Sequence, residues 1–192
     1  MKTTKLSGPA IFMYASIVLM AVLTAVFFAL YYANVLHTDL IFWLAIVTFM
    51  ILYHFGLRIL FGELTKKLKI NYRHSFFSQK SFEKKLFKLL KVRKWKEKVL
   101  TFDPVSYDFK NRTPEQLATT MCKSEIDHWI NEAISVLSIL FALLWGELWI
   151  FLLTAVLAMA FDAQFIIVQR YNRPHVIKLI ELKENKLKKA TV

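Results

Sequence analysis

Two long apolar runs dominate the first third of the chain. Residues 6–38 contain no Asp, Glu, Lys or Arg, and a second charge-free run covers residues 40–57. About 20 apolar residues cross the hydrocarbon core of a bilayer, so each run predicts a membrane-spanning helix. The first run is too long for the apolar part of a cleaved signal peptide, which favours a retained helix. The few residues between the runs predict a tight helical hairpin.

A less apolar pair of runs follows nearer the C-terminal end. Residues 133–146 and 148–161 are charge-free for only 14 residues each, with Glu147 between them. Fourteen helical residues rise about 21 Å, short of the roughly 30 Å hydrocarbon core. The pair is therefore either re-entrant or continued through polar residues, and the apolar residues 165–168 favour continuation. The whole pattern predicts an all-α integral membrane protein with four transmembrane helices in two hairpins.

Composition supports this class of protein. The 192 residues are 56% hydrophobic and carry a formal net charge of +12. A soluble domain of this size could not hide so much apolar area from water. The single Cys122 excludes an intramolecular disulfide, and no metal-ligand spacing or Gly-rich phosphate loop occurs. No metal and no cofactor are therefore predicted.

The basic residues are distributed unevenly between the two sides of the predicted spans. Residues 62–127 hold 16 Lys and Arg, the chain from Gln169 onward holds seven, and the N-terminal segment contributes Lys2 and Lys5. Neither short hairpin connection holds any. By the positive-inside rule, both termini and the central segment are predicted to be cytoplasmic.

These patterns divide the chain into four regions: an N-terminal transmembrane hairpin, a basic interfacial segment, a second transmembrane hairpin and a basic amphipathic tail (1–61, 62–127, 128–170, 171–192). Residues 82–92 place apolar side chains on one helical face between lysines, as in helices that lie on anionic lipid. The tail after Pro174 repeats this pattern, and Pro174 is placed as a helix start. On a chain with four spans, a membrane surface is favoured over nucleic acid as the partner of these basic faces.

Several ionisable residues fall within the predicted spans. His54, Glu132 and Asp162 each lie 14 residues from the predicted hairpin connections, or about 21 Å deep. Arg58 and His128 lie one turn farther. Such groups face the bundle interior, where they either bond one another as interhelical polar contacts or line a site. For Arg58 alone, an extended side chain that reaches lipid phosphates is favoured.

Three stretches, VRKWK, EIDHW and QRYNRP, begin at Val92, Glu125 and Gln169. In this order they resemble the glycosyl-4,4'-diaponeurosporenoate acyltransferase family, over residues 82–182. The resemblance implies a bacterial cell-membrane enzyme that transfers a fatty acyl group to a hydroxyl of a glycosylated lipid or carotenoid.

Such a transfer needs a base for the acceptor hydroxyl and a grip on the acyl donor. His128 is the candidate base, since imidazole accepts a proton near neutral pH. Glu125, one helical turn earlier, is expected to hold the tautomer of the imidazole, and Asp162 is a further candidate catalytic group. No Ser or Cys nucleophile stands out, which favours direct transfer. The alternative for His128 is an amphipathic anchor beside Trp129.

Arg170 and Arg173 lie three residues apart and could clamp the phosphates of an acyl donor, either acyl-CoA or an acyl phospholipid. Anchoring to lipid headgroups is the alternative. The other candidates for substrate binding are polar, basic or aromatic residues near the same boundary or within the spans: Gln169, Asn172, Arg93, Lys94, Trp95, Lys96, His54 and Glu132.

Three classes of function compete. An inner-leaflet acyltransferase is favoured, with a non-catalytic membrane scaffold or lipid-binding module as the alternative. A transporter would need polar residues that reach both membrane faces, whereas the outer half of these spans has almost none. The expected partners are membrane lipids and the glycosylated acceptor, a homo-oligomer stays open, and no nucleic acid is expected.

Overall fold

A computed structural model describes residues 6–190, and within this range the chain is helical with no β-strand. Residues 6–190 form seven α-helices in order: α1 Gly8–Tyr32, α2 Asp39–Lys66, α3 Ser81–Leu89, α4 Val92–Trp95, α5 Pro114–Ser138, α6 Ala142–Trp145 and α7 Leu148–Ala190. A short 3₁₀ turn, Ile139–Phe141, joins α5 to α6. In the part of the chain that the structure describes, four helices are long and apolar enough to cross a membrane: α1, α2, the joined α5–α6 rod and α7. The predicted all-α fold with four candidate spans is confirmed.

Side-chain caps set the beginnings of three of these helices. The hydroxyls of Ser7, Thr38 and Thr113 accept hydrogen bonds from backbone N–H groups in the first turns of α1, α2 and α5. Gln116 bonds back to the N–H of Thr113, which completes a capping box. Because these caps satisfy N–H groups that have no partner within a helix, each helix begins at a defined residue.

The two hairpins pack into one bundle with a distinct chemistry at each end. At one end, the connections 33–38 and 146–147 lie together, and the rings of Trp43 and Trp149 are 5.7 Å apart. We call this the turn end. The opposite end holds residues 67–113 and the last turns of α7, and we call it the basic end. Since interfacial tryptophans are typical of membrane boundaries, the turn end resembles one face of a bilayer-spanning bundle.

Two apolar cores hold the bundle together. At the turn end, the core joins α2 to the start of α7 through Ile46, Met50, Ile150 and Phe151. At the basic end, the core joins the start of α5 to the last third of α7 through Leu117, Ala118, Met121, Val176 and Ile180. His128 and Asp162, described below, therefore lie between these two cores.

The helix α7 runs without a break from the turn end to Ala190, with Pro174 inside it. The expectation that Pro174 starts a separate tail helix is therefore wrong. Val176 and Ile180 are buried against α5, so this part of the apolar face packs on protein and not on lipid. The region boundaries at 127/128 and 170/171 fall within α5 and α7.

The short helix α3 covers residues of the predicted interfacial helix. Phe82, Leu89 and Leu90 are exposed among lysines, whereas Phe87 packs against the ring of Tyr171 with centroids 5.6 Å apart. One face of α3 thus attaches the central segment to α7. The other face remains available to a membrane surface.

Candidate active site

A large cavity lies among α1, α2, α5 and α7, and residues 93–112 cover it at the basic end. Its volume is about 1960 Å³, and most of the surface that lines it is apolar. Small-molecule pockets typically measure about 300–1,000 Å³. The cavity is therefore large enough for substrates with long hydrocarbon chains.

His128 lies on α5 at the wall of this cavity. Its Nδ1 is 2.8 Å from Oδ1 of Asp162, a fully buried carboxylate on α7, and its ring stacks on Phe165 with centroids 4.4 Å apart. An ionised carboxylate can only accept a hydrogen bond, so Nδ1 donates. In this tautomer Nε2 carries the lone pair, which is the state that a general base requires.

Asp162 is held from three sides. Besides His128, it accepts a hydrogen bond from Nδ2 of Asn131 at 3.3 Å and forms an ion pair with Arg58. The same Nη2 of Arg58 reaches the carbonyl oxygen of Ala158 at 3.5 Å. The expectation that Arg58 extends to lipid phosphates is therefore wrong, because its guanidinium pairs with Asp162 inside the bundle.

Glu125 does not contact His128 as the helical spacing had predicted. It is fully buried and accepts hydrogen bonds from both Arg170 (2.5 Å) and Arg173. Asp162 takes the place expected for Glu125, because α7 presents its carboxylate to α5 across the helix interface. Asp127, beside His128 in the chain, faces Gly62 of α2 instead.

The two arginines predicted to clamp a phosphate are also occupied. Arg170 bonds Glu83 of α3 at 2.5 Å and the carbonyl oxygens of Phe76 and Ser78, and Arg173 bonds the carbonyl of Phe77. Neither arginine lines the cavity. Their role in the fold is to fasten the segment from Ser75 to α3 onto α5 and α7.

His54 and Glu132 differ in their placement. His54 is buried, lines the cavity on α2, and lies one turn before Arg58. Glu132 is half-buried on α5 and does not line the cavity, so it does not join His54 and Asp162 there.

The basic segment supplies cations to the cavity at the basic end. Arg93 and Lys96 line it, and Lys96 Nζ donates to Oδ1 of Asn172 at 2.9 Å. Lys94 is exposed and does not line the cavity, and Trp95 donates its ring N–H to the carbonyl of Leu90 at 2.9 Å. Of the predicted binding residues in VRKWK, Arg93 and Lys96 thus line the cavity, whereas Lys94 and Trp95 do not.

Gln169 and Tyr107 form a polar contact on the same wall. Nε2 of Gln169 lies 3.0 Å from the hydroxyl of Tyr107 and 3.3 Å from that of Ser124. Burial raises the pKa of Tyr107 to about 12, so its hydroxyl stays neutral at physiological pH. Gln169 and Asn172 both reach the cavity, as candidates for substrate binding should.

Sequence reasoning missed Asn131 and the aromatic support of His128 by Phe165. The spacing of three residues between His128 and Asn131 is a usable signal, since such residues share a helix face. Nothing in the spacing indicates that α7 places Asp162 between them. Among residues 6–190, no group of three or more His, Cys, Asp or Glu side chains could hold a metal ion.

Comparison with known protein families gives a match. The family model described as glycosyl-4,4'-diaponeurosporenoate acyltransferase matches residues 73–182, more than half of the chain, which include His128 and Asp162. No curated protein and no solved structure matches the chain. The match agrees with the resemblance drawn from the three sequence stretches. The chain belongs to the glycosyl-4,4'-diaponeurosporenoate acyltransferase family and is an acyltransferase.

Proposed function

We propose that this enzyme transfers a fatty acyl group to a sugar hydroxyl of a glycosylated carotenoid or a related glycolipid, with His128 as the general base. The observation that carries the proposal is the 2.8 Å contact of His128 Nδ1 with Asp162 at the wall of a large apolar cavity. This contact selects the imidazole tautomer with a basic Nε2. The apolar lining suits both the acyl chain and a carotenoid tail.

The reaction is a direct transfer. Nε2 of His128 removes the proton of the sugar hydroxyl while the hydroxyl oxygen attacks the acyl carbonyl carbon, and a new ester C–O bond forms. The bond from the carbonyl carbon to the donor then breaks, and the imidazolium returns the proton to the leaving group. That group is a thiol if the donor is acyl-CoA and a lysolipid hydroxyl if the donor is a phospholipid. Asp162 stabilises the imidazolium while it exists.

The phosphates of the donor are assigned to the cations on the cavity wall at the basic end. Arg93 and Lys96 line the cavity there, together with Lys66, Arg112 and Lys123. Arg170 and Arg173 are set aside for this role, because two carboxylates and three carbonyls already satisfy them. An exposed cation near the cavity binds phosphate without first breaking a buried ion pair.

The enzyme is placed in the bacterial cell membrane with both termini and the basic end in the cytoplasm. The charges of residues 62–127 and of the last part of α7 support this orientation through the positive-inside rule. Lys2 and Lys5, which add to the argument, lie outside the described residues. The imidazole of His128 then lies toward the inner leaflet, on the side from which a cytoplasmic donor approaches.

The test is a His128→Gln variant, in cells or membranes that supply the glycosylated acceptor. Because general-base catalysis contributes about 10²–10⁴ in rate, we expect acylated product to fall at least about a hundredfold while the folded protein persists. His37→Gln is the matched control, since His37 is exposed at the turn end and away from the cavity. Unchanged product from His128→Gln, measured by mass spectrometry of extracted lipids, would contradict the proposed base.

A further inference from the structure

Beside the His128–Asp162 pair, several buried polar atoms lack a hydrogen-bond partner among residues 6–190. They include Nδ1 and Nε2 of His54, Nε of Arg58 and Oδ1 of Asn131, and Oδ1 of Asp127, one turn earlier on α5, is a further one. His54 is 5% exposed and Asn131 is 2% exposed, and all four residues line the cavity. Buried polar groups are nearly always paired, because leaving one unpaired costs about 1–3 kcal/mol. Several such atoms on one cavity wall indicate a place for a polar ligand.

The kinds of atom left unpaired restrict the chemistry of that ligand. Asn131 Oδ1 is an acceptor and needs a donor, whereas Arg58 Nε is a donor and needs an acceptor. Neutral imidazole offers one of each, so His54 needs both. A phosphate, a carboxylate or an acyl carbonyl only accepts hydrogen bonds and cannot satisfy Asn131. A group with several hydroxyls both donates and accepts.

The charges around the site lead to the same conclusion. The guanidinium of Arg58 is already neutralised by the carboxylate of Asp162, to which it is bonded. A second anion at this position would therefore meet no free cationic charge. Phe161 and Phe165 also line the cavity, and in ligand pockets with such a lining a few polar groups fix the orientation of the ligand.

We propose that His54, Arg58 and Asn131 form the subsite for the sugar of the acceptor. This inference rests on the proposed function, because His128 must act on a hydroxyl of that same sugar. Asn131 and His128 both bond Oδ1 of Asp162, so a sugar held by the free Oδ1 of Asn131 lies next to the base. The three residues thus determine which sugar hydroxyl lies against His128, and His54 and Asn131 are positioning residues.

The first experiment measures binding apart from turnover. Full-length protein carrying His128→Gln is reconstituted in lipid nanodiscs and mixed with glycosyl-4,4'-diaponeurosporenoate or with the sugar-free 4,4'-diaponeurosporenoate. Retained pigment is measured from its visible absorbance after separation from free pigment. We expect the glycosylated form to be retained about tenfold more tightly, and we expect added His54→Leu or Asn131→Leu to remove this preference.

The second experiment uses the active chain and separates the acceptor from the donor. His54→Leu is expected to raise the KM for the glycosylated acceptor about tenfold and to leave the KM for the donor unchanged. His54→Asn keeps one donor and one acceptor and should restore part of the affinity. Thr48→Val is the control on the same helix, because the buried Thr48 hydroxyl bonds only its own helix and lies off the cavity.

The outcomes separate this inference from the proposed function. An unchanged preference for the glycosylated pigment in the Leu variants would overturn the sugar subsite even if His128 proves essential. An equal rise in both KM values, without rescue by His54→Asn, would also overturn it and assign His54 a structural role. Failure to retain either pigment, or full activity of His128→Gln, would instead contradict the proposed function.

Discussion

At the scale of single residues, Asp162 is the side chain that connects the other polar groups of the site. Its carboxylate is fully buried and bonds an imidazole, an amide and a guanidinium at the same time. A carboxylate with this many partners stays ionised because each partner stabilises the charged form. The same charge orients His128, so the stability of the bundle and the proposed action of His128 as a base depend on one side chain.

This double role of Asp162 predicts that stability and activity can be separated. Asp162→Asn leaves the charge of Arg58 without its carboxylate, which we expect to lower the free energy of unfolding by about 3 kcal/mol. The double variant Arg58→Met with Asp162→Asn removes both charges, and we expect most of that stability to return. Acyl transfer should stay low in both variants, because the amide no longer stabilises the imidazolium of His128.

Thermal unfolding in detergent and an acyl-transfer assay check this prediction side by side. If the double variant regained activity together with stability, the orienting role of Asp162 would be refuted.

The residue types of the site could be predicted from sequence, but their pairing could not. Ionisable groups within apolar runs identified His54, His128 and Asp162, because burying such groups without a function is costly. Arg58 was instead expected to reach lipid phosphates. Helical spacing then suggested Glu125 as the partner of His128. The choice between Glu125 and Asp162 depends on how α5 and α7 align, and that alignment is set by side-chain packing between helices.

At the scale of elements, the central segment is fastened to the bundle by a buried ion-pair network. Glu125 of α5 and Glu83 of α3 meet Arg170 and Arg173 of α7, and all four side chains are at most 11% exposed. The arginines also hold backbone carbonyls of residues 76–78. This network positions the basic segment over the mouth of the cavity.

Replacing one carboxylate of this network with an amide is expected to have a large effect on stability. Glu125→Gln removes a carboxylate that pairs with the buried guanidiniums of Arg170 and Arg173. We therefore expect the free energy of unfolding to fall by about 3 kcal/mol. Cleavage by trypsin within residues 62–113 should become faster, because this segment loses its attachment. Glu184→Gln is the control, since the Arg73–Glu184 pair is about half exposed and worth at most about 1 kcal/mol. Equal stability of the two variants would contradict the fastening role.

The helices themselves were largely predictable, with one informative exception. Charge-free runs identified α1 and α2, because a bilayer demands uninterrupted apolar length. The continuity of α7 was not predictable, since Pro174 is normally a boundary signal. Val176 and Ile180 pack against α5 and hold the helix together beyond Pro174, so tertiary packing outweighs the local preference.

At the scale of the whole molecule, the proposed orientation can be tested with cysteine labels. Val35 is exposed in the connection at the turn end, Lys110 is exposed in the central segment, and the native Cys122 is buried. We expect Val35→Cys to react with a membrane-impermeant maleimide in intact cells, and Lys110→Cys to react only after permeabilisation. The unsubstituted chain is the control, and the reverse labelling pattern would contradict cytoplasmic termini.

The size and lining of the cavity also bear on what happens after the ester has formed. One compartment of about 1960 Å³ is lined by residues of α1, α2, α5 and α7. Under the proposed function, the hydrocarbon chains of donor and acceptor share this interior. The product carries the hydrocarbon chains of both donor and acceptor on one sugar, so it is too apolar to leave through water. We expect it to diffuse sideways into the bilayer, which makes departure of the finished ester a natural candidate for the slowest step.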